Sequence, residues 1–265
     1  YIAKLMGNLR GALHAVVSSA TFGLIPLFSI PLLREGMSSS SILFYRFGLS
    51  AAIMGVIALA TGRSLRVSLK DTGILLLLGI TYSGTALGLL LSYAYIPSGV
   101  ATTINFLYPL SVTIVMTLFF REKSSVWLLI AILISLVGVA LLSWGDLGAP
   151  DANRSVIGVG YAGATVITYT IYIVGVMKSR ASRLDAITLA FYVLLVSSGL
   201  FLIYALCTTG AAVPARWQTW RTLLLLASIP TVLSNLTLVA AIKRIGSTMT
   251  SILGSMEPLT AVLVG

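Results

Sequence analysis

The chain has 265 residues, 58% of them hydrophobic and 9% charged, with a net charge of +10 and a mean hydropathy of +1.03. A soluble domain carries about 25% charged residues, so a wholly water-facing surface is excluded and lipid must cover much of the molecule. The single Cys207 excludes an internal disulfide framework, and the basic residues fall in short clusters between apolar runs, as loop charges do, rather than on one nucleic-acid-binding face.

The chain begins with Tyr1 rather than Met, and its natural start is expected upstream. A membrane-crossing helix needs about 20 apolar residues. Runs of that size fall at 11–33, 38–61, 71–95, 98–120, 124–144, 155–178, 184–208, 221–243 and 247–265. None alternates apolar and polar residues with period two, so helices are predicted and a β-barrel is not. With the N-terminus in the cytoplasm, the clusters Lys4/Arg10, Arg63/Arg66/Lys70, Arg121/Lys123, Lys178/Arg180/Arg183 and Lys243/Arg244 all fall on the inner side. Only Arg34, Arg154, Arg216 and Arg221 fall outside. This excess orients the chain by the positive-inside rule. Trp127 and Trp144 bracket the fifth run and Trp217 and Trp220 precede the eighth, positions that suit interfacial aromatic belts.

The chain repeats itself. At an offset of 147 residues Gly11 meets Gly158, Ala15 meets Ala162, and Phe44-Tyr45 meets Phe191-Tyr192. At an offset of 149, Ile96-Pro97-Ser98 meets Ile245-Gly246-Ser247 and Pro109-Leu110 meets Pro258-Leu259. The unit holds five helices, an odd number, so its second copy enters from the opposite side, as inverted transporter repeats do. The fold class expected is therefore an all-α polytopic membrane protein of two inverted five-helix repeats. Residues 1–145 form the first, 155–265 the second, and the polar stretch Gly145–Ser155 joins them. Ten helices are expected against nine runs, and the counterpart of Glu122 falls past Gly265, so a tenth helix is expected beyond the given chain.

Several segments carry a family resemblance. Tyr45-Arg46-Phe47 resembles an aromatic-Arg-aromatic signature, and Ala94-Tyr95-Ile96-Pro97-Ser98-Gly99-Val100-Ala101 a joint between third and fourth helices. Pro109 with Glu122, Val137-Gly138-Val139, Ser247 and Glu257-Pro258 complete the set. Together they resemble the EamA-type family of the drug/metabolite transporter superfamily. Val193, where the first half has Arg46, departs from the pattern. The resemblance implies ten helices around a central cavity and export or exchange of small metabolites, with no enzyme activity.

Charges inside a membrane are costly and face protein or water. Two lie deep: Arg46, about 12 Å from one end of its helix, and Glu257, about 15 Å from the end of its own, at about 1.5 Å rise per residue. Arg46 can hold a carboxylate through two parallel hydrogen bonds. Glu257 can hold an ammonium group or exchange a proton, and is the candidate for proton coupling. The alternative for both is fixing of helix packing. Asn105 and Tyr108 share one helix face, Thr165, Tyr169 and Tyr172 another; Tyr82 and Asn235 fall mid-helix. The substrate-binding candidates are thus Arg46, Tyr82, Asn105, Tyr108, Tyr169, Tyr172, Asn235 and Glu257, with interhelical hydrogen bonding as the alternative role of the neutral ones. Pro26, Pro31, Pro109, Pro230 and Pro258 are expected to interrupt helices.

Other signals fail. Gly158-Val159-Gly160-Tyr161-Ala162-Gly163 matches a dinucleotide fingerprint but opens a membrane helix, not a βα unit. No phosphate-binding loop motif and no metal-ligand spacing occurs. His14 has no metal partner in sequence and reads as a structural residue near the first helix's inner end. No catalytic set, cofactor, metal or nucleic-acid partner is expected. The partners are a small-molecule solute and the lipid bilayer, the chain being a monomer or homodimer. The reading is a secondary transporter of a bacterial cytoplasmic (inner) membrane, N-terminus inside, exporting small polar, amino-acid-like metabolites by alternating access. A passive channel and an intramembrane enzyme are the rivals.

Overall fold

The computed structural model describes residues 2–121, 130, 133, 134, 137, 141, 152–208, 210, 213–254 and 256–264. All regular structure among them is helical. The chain runs through α1 (Ile2–Phe22), α2 (Ile25–Arg34), α3 (Ser39–Ala60), α4 (Leu69–Ser92), α5 (Ser98–Asn105) and α6 (Tyr108–Phe120). It resumes at α7 (Ala152–Lys178), followed by α8 (Ala186–Thr208) and α9 (Trp217–Ala227). A π-helical turn, Ser228–Leu233, then leads into α10 (Ser234–Leu253) and α11 (Met256–Val264).

Local chemistry sets these boundaries. Ser38 and Ser68 open α3 and α4, their hydroxyls accepting from the amides of Ser41 and Asp71 at 3.3 Å each, as serine N-caps do. Pro26 and Pro109 sit in the first turns of α2 and α6, where a missing amide proton costs nothing. Gly246 takes φ +83°, ψ 167° inside α10, a backbone conformation that a side chain disfavours.

Seven helical spans are long and apolar enough to cross a membrane: Leu9–Arg34, Ser39–Ala60, Leu69–Ser92, Ser98–Phe120, Ser155–Lys178, Ala186–Thr208 and Trp217–Leu253. The protein is an integral membrane protein. Leu59, Phe119 and Leu206 stand exposed along these helices, apolar surface of the kind that lipid covers.

Nine runs were expected from the sequence, and two of them are not separate spans among the described residues. The run 124–144, with Trp127, Trp144 and Glu122, lies largely or wholly outside the described residues, as does most of the stretch joining the halves. The eighth and ninth runs share one span because helical residues abut on both sides of Gly246, but at φ +83° and ψ 167° that residue is non-helical, and two helices meet there at a kink. Within the ninth run α10 ends at Leu253 with Gly254 as its cap, and α11 has nine residues. The two tryptophans before the eighth run differ in their surroundings. Trp217 is exposed, whereas Trp220 packs edge-on against Tyr45 at 5.2 Å and donates its indole N–H to the Pro214 carbonyl at 3.0 Å.

The principal packing pairs are α3 with α8, α1 with α10, and α4 with α7. Each joins a helix from before residue 145 to one from after residue 155. A core cluster of Phe47, Met54, Tyr82, Tyr172, Ile173, Val193 and Leu194 lies where they meet. At one end the two halves are tied by polar contacts. Arg63 pairs with Asp185 at 3.0 Å and Arg180 with Asp71 at 2.9 Å. Tyr192 donates to the Leu65 carbonyl at 2.8 Å and Thr188 to the Ser64 carbonyl at 3.3 Å; within the second half, the Lys243 ammonium donates to the Leu184 carbonyl.

Candidate functional site

Four irregularities of the helices come together inside the bundle. The first crossing breaks at Gly23 and Leu24, between α1 and α2. The fourth breaks at Phe106 and Leu107, between α5 and α6. A third break separates α10 from α11, and the π-helical turn widens the junction of α9 and α10. Prolines account for three of the four: Pro26, Pro109 and Pro230 each remove an amide donor. Non-helical backbone at membrane depth is tolerated where protein or a water-filled cavity satisfies it.

A cavity of about 40 Å³ lies among these breaks, lined by Phe22, Ile25, Arg46, Tyr82, Thr85, Ala86, Leu89, Leu90, Tyr93, Asn105, Tyr169 and Glu257. That space takes roughly three waters and must widen to admit a metabolite. Phe22 and Ile25 flank the first break, Asn105 ends α5, and Glu257 lies in the first turn of α11. The α4 residues 82, 85, 86, 89, 90 and 93 form one stripe at helical spacing. Since α4 starts at the ion-paired end and its later residues line the hollow, the cavity lies on the far side of the bundle centre from those ion pairs.

Arg46 and Glu257, separated by 211 positions in the sequence, line the same cavity and are 4% and 7% exposed. No ion pair joins them among the described residues. The Arg46 guanidinium sits 5.0 Å from the centre of the Phe47 ring, and its Nε donates to Thr231 Oγ1 at 2.8 Å. Tyr82, Tyr93 and Glu257 share the cavity lining with it.

The remaining candidates divide. Tyr82, Asn105 and Tyr169 line the cavity with the two charges. Tyr108, Tyr172 and Asn235 do not; each backs a residue that does. Tyr108 meets Tyr169 edge-on at 4.6 Å, Tyr172 packs 5.1 Å from Tyr82, and Asn235 donates to the Tyr82 hydroxyl at 2.8 Å. Asn105 accepts from Thr165 at 2.7 Å. Glu257 and Tyr108, matched by the sequence offset, each stand directly before a proline at a helix restart, but only Glu257 lines the hollow.

Sequence reasoning passed over Tyr93 and Thr231. The Tyr93 hydroxyl is buried without a partner, and its place at the end of the α4 stripe was the available signal. Thr231 follows Pro230, whose missing amide leaves the Leu226 carbonyl in want of a donor; the Thr231 hydroxyl supplies it at 2.8 Å. Among the described residues no three His, Cys, Asp or Glu side chains converge as a metal site would require. The glycines at 158, 160 and 163 fall inside α7.

The model of the EamA-like transporter family matches this chain twice, over residues 9–144 and 156–265. The chain belongs to the EamA-like transporter family. Its two-repeat architecture and its place in the drug/metabolite transporter superfamily follow from that double match. No curated protein matches it. Among solved structures, one crystal structure superposes with a TM-score of 0.77 at 18% identity, over 97% of this chain and 86% of its own. At that identity the likeness shows the fold alone. Membership makes the protein a membrane transporter, so the cavity between its repeats is the natural place to seek a solute.

Proposed function

We propose that the protein is a secondary transporter that exports small polar, amino-acid-like metabolites by alternating access across a bacterial cytoplasmic membrane. In this reading residues 1–145 and 155–265 are two inverted repeats of a ten-helix unit, with the N-terminus in the cytoplasm. The pairing of α1 with α10 and of α4 with α7 supports it. Under the sequence offsets α1 corresponds to α7 and α4 to the α9–α10 span, so the two pairings exchange when the repeats are exchanged. The ion-paired end is then the cytoplasmic one.

One observation carries the proposal. A buried cation and a buried anion face one small cavity, at the meeting of broken helices, without neutralising each other directly. An isolated charge in such a place is costly. A zwitterionic solute supplies a carboxylate for Arg46 and an ammonium group for Glu257. After the solute leaves, a proton taken up by Glu257 removes the unpaired charge. Solute and proton then compete for one carboxylate, which couples their movements in opposite directions. Discontinuous helices around a mid-membrane site are a recurring plan in secondary transporters.

The test is counterflow in proteoliposomes with amino-acid-like solutes across a range of pH. Wild-type protein shows saturable counterflow that varies with pH. Glu257→Gln unfolds at the wild-type temperature yet loses the pH dependence. Non-saturable flux would favour a channel, and unchanged pH-dependent exchange by Glu257→Gln would refute the coupling.

A further inference from the structure

The hydrogen bonds behind the cavity wall fix what Arg46 and Tyr82 present to it. The Thr231 backbone carbonyl can only accept, so the Asn235 side-chain atom 2.8 Å from it is the amide nitrogen. The same nitrogen lies 2.8 Å from the Tyr82 oxygen. With one proton on the carbonyl, it spends the other on Tyr82, whose hydroxyl therefore accepts. The Tyr82 proton must point elsewhere, and no acceptor for it exists among the described residues.

Arg46 is set in the same way. The Thr231 hydroxyl has one proton and gives it to the Leu226 carbonyl at 2.8 Å. Its lone pairs then receive Arg46 Nε at 2.8 Å. With Nε engaged, the remaining guanidinium N–H groups, four by the chemistry of arginine, have no acceptor among the described residues. Arg46 and Tyr82 both line the cavity, at 4% exposure each. The wall here presents donors to the cavity that have no hydrogen-bonded acceptor among the described residues, although the Glu257 carboxylate shares the lining. Buried donors are ordinarily satisfied.

We infer that Arg46 and Tyr82 form an anion subsite for a planar carboxylate, with Thr231 and Asn235 as positioning residues that commit both to donation. A carboxylate accepts at both oxygens and can take two guanidinium protons in parallel while also receiving a hydroxyl proton. A carboxamide brings an NH2 group that can only donate, and so leaves a donor facing a donor. The subsite thus selects the acid end of a solute. This rests on the proposed function for the class of solute, and assigns one end of it to particular atoms.

The test uses purified full-length protein and four matched probes: L-leucine, L-leucinamide, 3-methylbutylamine and 4-methylpentanoate. Equilibrium binding and thermal unfolding are measured for wild type, Tyr82→Phe, Thr231→Val and Thr231→Ser. Tyr82→Phe keeps the ring packed against Phe47 and Tyr172 and removes the donor together with the acceptor of one Asn235 amide proton, a loss that the two probes without a carboxylate control for. It and Thr231→Val are each expected to weaken leucine and 4-methylpentanoate about tenfold or more, the scale of a hydrogen bond to a charged group. The two probes without a carboxylate should stay within about twofold. Thr231→Ser, which retains the hydroxyl, should restore leucine binding. Equal loss for all four probes, no loss in Tyr82→Phe, or failure of Thr231→Ser to recover would overturn the inference while leaving the transporter reading intact. Wild-type protein that binds the amine but not 4-methylpentanoate would also refute the anion subsite and spare the Glu257 half. Binding of none of the four would refute the proposed solute class and this inference with it.

Discussion

Glu257 is held in place by backbone as much as by side chains. A methyl group added at Gly23 would run into the Glu257 carbonyl and the Thr260 side chain, so α1 approaches the first turn of α11 only because residue 23 has none. Overpacking of a tight contact costs about 1–3 kcal/mol. Gly23→Ala is therefore expected to lower the unfolding temperature and to reduce exchange by displacing Glu257 from the cavity. Thermal unfolding and proteoliposome counterflow measure the two effects separately. Gly246 differs: nothing lies close to the position its β-carbon would take, and the obstacle is φ +83° alone. Gly246→Ala should cost about 1 kcal/mol, seen as a modest fall in unfolding temperature with solute affinity kept. Among individual residues, the two deep charges were legible because ionisable side chains are rare in apolar runs and seldom idle there. The divided roles of the tyrosines were not. Spacing puts Tyr108, Tyr169 and Tyr172 on inward faces, but which one reaches the hollow and which backs it depends on the angles at which helices cross.

At the scale of elements, the π-helical turn turns a defect into a support. Pro230 takes away the amide that would have closed the helix onto Leu226, and the Thr231 hydroxyl fills the gap while holding Arg46. Short π-helical turns occur frequently at functional sites. Pro230→Ala returns an amide donor to that carbonyl, so the turn should relax toward regular α-helix and draw Thr231 away from the guanidinium. The expected outcome is unfolding at or above the wild-type temperature with leucine binding weakened several-fold, about 1 kcal/mol or more. A variant that keeps full affinity would show that the turn does not position Arg46. The helix breaks were legible wherever proline marks them, at Pro26, Pro109 and Pro230. Pro31 misled, since it lies within α2 without ending it. The bend at Gly246 was foreshadowed by its alignment with Pro97, which precedes the first residue of α5.

The whole molecule shows its duplication in sequence and in packing. The offsets that align Tyr108-Pro109 with Glu257-Pro258 fall on helix restarts in both halves. The number of crossings was less legible, because hydropathy counts apolar residues and says nothing of how two abutting helices meet at a kink such as Gly246. The contacts that tie the halves at one end join surface side chains, with Arg63 55% and Arg180 50% exposed. Exposed ion pairs contribute about 0–1 kcal/mol each. Replacing both Asp71 and Asp185 by Asn should therefore bias the molecule toward states open at that end without unfolding it. In a Cys207→Ala background, alkylation of a cysteine placed at Ala181, buried at 1% exposure, should accelerate, by up to about thirtyfold for the loss of up to about 2 kcal/mol over the two pairs. Unchanged alkylation would mean that the neutral contacts of Tyr192 and Thr188 suffice to hold the halves.

The asymmetry between the two mouths has a consequence for how the protein meets its medium. One is closed partly by opposed formal charges; at the other, Glu35 takes a neutral Thr219 proton at 2.9 Å and Trp220 braces a loop carbonyl. Dissolved electrolyte screens exposed charges within about 8 Å at physiological ionic strength, and leaves neutral hydrogen bonds almost untouched. Potassium chloride added to a single compartment should loosen the charged mouth and spare its opposite. A simple salt would then act on this protein as a directional signal through screening alone.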